Sequence, residues 1–137
     1  MAEGQSMTHE FPIIVYYEDT DMAGIVYYAN YLRYIERARS TVVEELGVDQ
    51  VAMRAEGIVF VVTRVEADYL GNARLGDRLI VRSQHYAAGP VRWVFDQEVI
   101  KGEDVIFRAK VTAATMTTEG KPIRLPAKIR ASVPKQA

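Results

Sequence analysis

The spacing of apolar positions changes along this chain, from the alternation of a strand to the stagger of a helix and back again. Phe11 to Tyr17 is dense in Ile, Val and Tyr and reads as a strand. A polar, glycine-bearing stretch from Glu18 to Gly24 ends it. Behind Asn30 the period becomes helical: Tyr31, Ile35, Ala38, Val42 and Leu46 recur on one face, and Tyr34 and Val43 widen the stripe. Arg33, Arg37, Ser40 and Glu44 fall mostly on the opposite face. Asn30 reads as the N-cap and Gly47 as the C′ residue that stops the helix. A shorter helix is expected over 50–56.

Beyond Gly57 the pattern is strand-like. Ile58 to Tyr69 is one long β-branched run, interrupted by Arg64, Glu66 and Asp68 at alternating positions. Leu79 to Tyr86 runs towards the turn signal Gly89-Pro90. In the stretch from Arg92 to Ile100, Trp93, Phe95 and Val99 (with Val91 just before it) alternate with Arg92, Asp96 and Glu98. Lys101-Gly102-Glu103-Asp104 makes a hairpin turn, after which Val105, Phe107, Ala109, Val111 and Ala113 face one way. Strand, helix, then four strands predicts an α+β layer, a five-stranded antiparallel sheet wrapped round one long central helix. The same reading gives a flexible polar leader over 1–10 that includes His9, a single domain over 11–130, and a mildly basic tail over 131–137 that frays.

Composition narrows the chemistry. Seventeen Lys and Arg oppose eighteen Asp and Glu, so the basic excess of a nucleic-acid binder is missing. With no cysteine, thiolate nucleophiles, disulfides and Cys-type metal sites are excluded, and two histidines, His9 and His85, are too few for a His-rich metal site. No metal or cofactor is expected. Ser83 and His85 stand two apart on one strand, which is not the setting of a triad. No apolar run is long enough to span a bilayer, and the first ten residues lack the apolar core of a signal peptide, so a cytoplasmic protein is expected. Any enzymology falls to carboxylates, tyrosines and backbone dipoles.

The segment from Tyr16 to Arg39 offers those groups together. Glu18, Asp19 and Asp21 lie within four residues, followed by Gly24 and a helix start near Asn30. A helix N-terminus presents unpaired N–H groups and a partial positive charge of roughly half a unit. A carboxylate beside it could attack a carbonyl or activate water, the minimum kit for acyl transfer without Ser, Cys or metal. Acidic residues also precede helices simply because they complement the dipole, and spacing alone does not separate the two readings.

This segment resembles the hotdog-fold thioesterases, in particular the 4-hydroxybenzoyl-CoA thioesterase family and its Tol-Pal-associated acyl-CoA thioesterase branch. The matching residues are Tyr17-Glu18-Asp19-Thr20-Asp21, Ala23-Gly24-Ile25-Val26-Tyr27, Asn30-Tyr31 and Glu36-Arg37-Ala38-Arg39, with a second match at Asp68-Tyr69-Leu70 and Ala73-Arg74-Leu75-Gly76-Asp77. The resemblance implies an acyl-CoA thioesterase. Asp21 would be nucleophile or general base, and the Tyr28 backbone N–H would polarise the carbonyl. Gly24, Ile25 and Tyr27 would lie about the substrate, with pantetheine passing Val62 and Thr63. Arg64, Lys121, Arg124 and Lys128 would be candidates for the CoA phosphates. It further implies a homodimer that pairs again into a homotetramer, with substrate sites at the dimer interface, and an association with the cell envelope.

The chain departs from the branch at Tyr28, where many members have His, and at Gly71-Asn72, where a basic residue and proline are common before Ala73. A tyrosine cannot serve as an imidazole-like base at neutral pH. Glu36, on the helix, is a rival carboxylate whose plainer role is an ion pair with Arg33 or Arg37 or a dimer contact. His85 and Trp93 read as buried or interface residues. Two other functions remain open: a dehydratase or isomerase acting on acyl thioesters, and a non-catalytic module that binds acyl-CoA or a partner.

Overall fold

Each alternating run in the C-terminal half pairs with its neighbour, and a computed structural model describing residues 8–136 shows how. In chain order the elements are β1 (His9–Ile14), a 3-10 turn (Tyr17–Asp19), α1 (Asn30–Glu45), α2 (Gln50–Ala55), β2 (Ile58–Tyr69), β3 (Arg78–Ala88), β4 (Arg92–Lys101), β5 (Asp104–Thr117) and α3 (Ala127–Ser132). The strands form one sheet in the order β1-β3-β4-β5-β2. Every pairing in it is antiparallel. The predicted five-stranded sheet around one helix is therefore the observed architecture.

Helix α1 buries Tyr31, Tyr34, Ile35, Ala38, Val42 and Val43, the stripe its period predicts. Against it stand Leu79, Val81, Trp93, Phe95, Val99, Phe107 and Val111 from the sheet. Gln97 is also buried beneath the helix and is fully used. Its Nε2 donates to the Ile35 carbonyl and to Ser83 Oγ, and its Oε1 accepts from Arg39 Nη1. The helix ends as expected at Gly47, whose φ of 82° lies in the left-handed region. Its N–H bonds the Glu44 carbonyl and that of Val48 bonds Val43, the paired bonds of a Schellman stop.

Four expectations need correction. The first strand begins at His9 and ends at Ile14, because His9 pairs with Ser83 at one end and the chain turns at Tyr16 at the other. His9 is thus part of the sheet, with Nε2 3.3 Å from Glu45 Oε1, although most of the leader lies outside the described residues. Asn30 is the first helical residue rather than the cap, and its side chain is buried. The tail is tied down: α3 packs Ile129 into the core, Val133 is buried, and the N–H groups of Ala87 and Gln136 bond the carbonyls of Pro134 and Ala87. Finally, β2 does not alternate between wet and dry faces, since every residue from Val61 to Leu70 is exposed.

The two sheet edges differ. β1 is six residues long and carries Pro12, a usual protection for an edge. β2 is twelve residues long and has no proline, and it exposes Val61, Val62, Val65 and Tyr69. Between Val62 and Arg64 the register with β5 slips, leaving Thr63 as a bulge. Among the described residues, no helix is long and apolar enough to cross a membrane.

Candidate active site

Asp21 opens a tight turn between β1 and α1. Its carbonyl accepts from Gly24 N–H, its N–H bonds the Ile25 carbonyl, and its own Oδ1 accepts from Ala23 N–H at 2.9 Å. This closed turn needs a left-handed residue, which Gly24 supplies at φ 79° with open space where a Cβ would stand. Asp21 is exposed, and its Oδ2 has no partner among the described residues. The turn rests on the second sequence motif. Val26 N–H bonds the Ala73 carbonyl and Ile25 bridges to Arg74. That shelf is braced by Asp77, whose carboxyl is held below the usual range by Arg74 N–H and, less strongly, by Lys101 Nζ at 3.1 Å.

Chain then returns to the helix start. Tyr27 N–H bonds the Asp19 carbonyl and Asn30 N–H bonds the Tyr27 carbonyl. The N–H of Tyr28, in the turn that leads into α1 two residues before its first helical residue, has no partner among the described residues. Tyr69 hydroxyl donates to the Tyr28 carbonyl at 2.9 Å and so holds this residue from its other side. Aromatic rings continue inward: Tyr28 meets Tyr69 edge-on at 6.0 Å, Tyr69 meets Phe107 at 5.0 Å, and Tyr31 stacks on Phe107 at 5.2 Å.

Asp21, Gly24, Ile25, Tyr27 and Tyr28 are thus gathered in one segment. Val62 and Thr63 are not with them: Thr63 lies six residues before Tyr69 on the same strand, about 20 Å away at strand spacing. The four basic candidates are scattered. Arg64 pairs with Glu66 at 3.4 Å. Lys121 closes the turn after β5, its N–H bonding Thr117 Oγ1 and its carbonyl accepting from Thr117 N–H. Arg124 shares a groove with Arg130 and Lys135. Lys128 Nζ donates to the Gly47 carbonyl at 2.8 Å and is engaged in ending α1. Glu36 forms no ion pair with Arg33 or Arg37; Ser40 Oγ donates to it at 2.7 Å.

The profile of the thioesterase-like superfamily matches residues 15–133. The chain belongs to the thioesterase-like superfamily. Acyl-CoA thioester hydrolase YbgC of Escherichia coli O6:H1 is 35% identical over 96 residues, covering 70% of this chain and 72% of that protein. Acyl-CoA thioesterase YbgC of Haemophilus influenzae is 32% identical over 124 residues, covering 89% and 91%. A probable thioesterase from Bartonella henselae superposes with a TM-score of 0.81 at 33% identity, covering 87% of this chain and 99% of that one. The fold alone is shared with a 1,4-dihydroxy-2-naphthoyl-CoA thioesterase from Synechocystis, at a TM-score of 0.85, 24% identity and coverage of 90% and 93%.

Within this thioesterase-like domain, sequence reasoning placed Asp19, Asn30, Tyr69 and Ala73 in the motifs, with Asp19 among the candidate carboxylates, but did not give them the bonds that shape the site. All four stand inside or beside the two motifs, but nothing in their spacing says which partner each takes. The unusual Gly71 has a local reason. The chain passes so close to β5 that an added Cβ would meet Ile106 Cγ2 at 3.0 Å, while Leu70 and Gly71 N–H both bond the Ile106 carbonyl.

Proposed function

We propose that this chain hydrolyses acyl-CoA thioesters to a free acid and CoA, with Asp21 and the Tyr28 N–H as the working groups. The observation that carries the reading is a free carboxylate oxygen and a free main-chain N–H just ahead of α1, presented by one short, tightly bonded segment. Asp21 either attacks the thioester carbonyl, giving an acyl-aspartyl anhydride that water then hydrolyses to the free acid, or takes a proton from the water that attacks the carbonyl directly. The Tyr28 N–H receives the negative charge that grows on the carbonyl oxygen, and the CoA thiolate leaves and takes up a proton. The naming of the bacterial relatives as acyl-CoA thioesterases supports the substrate class. Dehydratase or isomerase chemistry that relies on histidine is less well served, since His9 has its Nε2 3.3 Å from Glu45 Oε1 and His85 is buried against Trp93.

The working unit in this reading is a dimer joined along β2. That edge is long, free of proline and exposes Val61, Val62, Val65 and Tyr69, and an isologous pairing would run the two strands antiparallel. The Ile58 end of one strand then lies beside the Tyr69 end of the other. With the ends aligned in this way Val62 and Thr63 of one subunit lie opposite Val65 and Arg64 of the other, and the Lys121 turn next to its β2 start lies nearest the Asp21 segment of the other. Pairing of such dimers into tetramers is the further expectation from the resemblance.

Thiol release from short, medium, long and aromatic acyl-CoA esters tests the proposal. Turnover is expected with at least one class, and Asp21→Asn should reduce it about 10²–10⁴-fold without loss of folding. Binding of acyl-CoA with no turnover across the whole series would make the chain a binding module instead.

A further inference from the structure

Asp19 is the one carboxylate buried among the described residues, 3% exposed and two positions from the candidate base. A charge withdrawn from water is unfavourable unless donors replace the water it has lost. Here they are supplied by the segment that carries the site. Tyr16 N–H donates to its Oδ2 at 2.8 Å, and Asn30 Nδ2 donates to its Oδ1 at 2.8 Å. Its main-chain carbonyl accepts from Tyr27 N–H at 2.9 Å. One residue therefore ties together the entry of the segment, its return and the first residue of α1. Asp21 leaves this clasp two residues beyond Asp19, and the Tyr28 N–H one residue beyond Tyr27.

Asn30 is equally committed. It is buried at the start of a helix where an exposed cap would serve folding as well, and its amide faces the carboxylate rather than the helix end. The buried phenol of Tyr34 lies nearby, pushed well above its ordinary pKa by burial and by the Asp19 charge.

We propose that Asp19, clasped by Asn30, is a positioning residue that sets Asp21 against the Tyr28 N–H. This rests on the thioesterase reading given above. In Asp19→Asn an amide replaces one carboxylate oxygen, and either it meets the Tyr16 N–H donor to donor or Asn30 turns its amide over and gives up its contact with Arg33 Nη1. Displacing reacting groups by about an ångström costs about 10²-fold in rate, so kcat is expected to fall by that amount. Meanwhile KM and the Kd for a non-hydrolysable acyl-CoA thioether should stay within about threefold, because binding contacts are untouched.

The exchange variant Asp19→Asn/Asn30→Asp puts donor opposite acceptor again, and should return kcat to within about tenfold of the wild type. Asn30→Ser opens the clasp from the other side and should lower kcat as Asp19→Asn does. A folded Asp19→Asn or Asn30→Ser enzyme with full kcat would overturn the proposal, as would an exchange variant that regains thermal stability but not rate. Where one single variant fails to fold, the other and the exchange variant decide. Asp21→Asn measured alongside separates the two readings. An active Asp21→Asn enzyme removes the base itself; an inactive one beside a fully active Asp19→Asn enzyme removes only the clasp.

Discussion

At the scale of single residues, the proposed site depends on backbone atoms more than on the rings that surround them. In that proposal the atom Tyr28 offers is its main-chain N–H and not its phenol. Tyr28→Phe is accordingly expected to keep kcat within about threefold, which steady-state thiol release would measure. Tyr69→Phe removes the hydroxyl that holds the Tyr28 carbonyl and should lower stability by about 1 kcal/mol in urea unfolding. A different polar residue, His85, is expected to contribute to the response to acid. It accepts from Trp93 Nε1 at 3.1 Å, and burial, with a smaller push from His9, lowers its pKa to about 4. Above pH 6.5 both folded and unfolded chains hold it neutral. Between about 6.5 and 4 the unfolded chain takes up the proton and the folded one does not, so acidification destabilises by up to about 3 kcal/mol. His85→Gln, which keeps an acceptor for Trp93, should flatten the melting temperature over that window. A slope as steep as that of the wild type would mean that other groups carry the acid response.

Elements were legible where a local rule decides them, and illegible where a distant partner does. Helix α1 could be read from its 3.6-residue stripe and from Gly47, because both are properties of a few neighbouring residues. Gly47→Ala should cost about 1 kcal/mol, the strain of a Cβ at positive φ, read from chemical denaturation. Lys128 adds to the same stop through the Gly47 carbonyl, so Lys128→Ala should shift stability rather than the KM for acyl-CoA. A KM rise at unchanged stability would restore it as a phosphate contact. Asn30 was misread because capping preference is local, whereas its actual partner, Asp19, lies eleven residues back. The C-terminal tail looked free for the same reason: Ile129 and Val133 are isolated apolar residues in a basic stretch, and only the folded sheet offers them a groove. The two functional motifs could be found in the sequence, but not that the second is the shelf for the first, a relation made of main-chain bonds from Val26 to Ala73.

On the scale of the whole molecule, the asymmetry of the sheet edges decides what the protomer can do alone. Val62 and Val65 are exposed in the single chain, 46% and 43%, so charging them should leave its own core undisturbed. Val62→Lys/Val65→Lys is expected to run as a monomer in light scattering and to lose about 10²-fold in rate although Asp21 is intact. A fully active monomer would show that one chain holds a whole site. The long, proline-free β2 edge has a genetic consequence as well. If each site draws its base from one subunit and its pantetheine wall from the other, two separately inactive chains can rescue one another. Mixing an Asp21→Asn chain with a chain defective only at Val62 and Thr63 yields hybrids in which one site collects both lesions and the other neither. Random reassortment of equal amounts should then restore about a quarter of wild-type activity, from two proteins that have none apart.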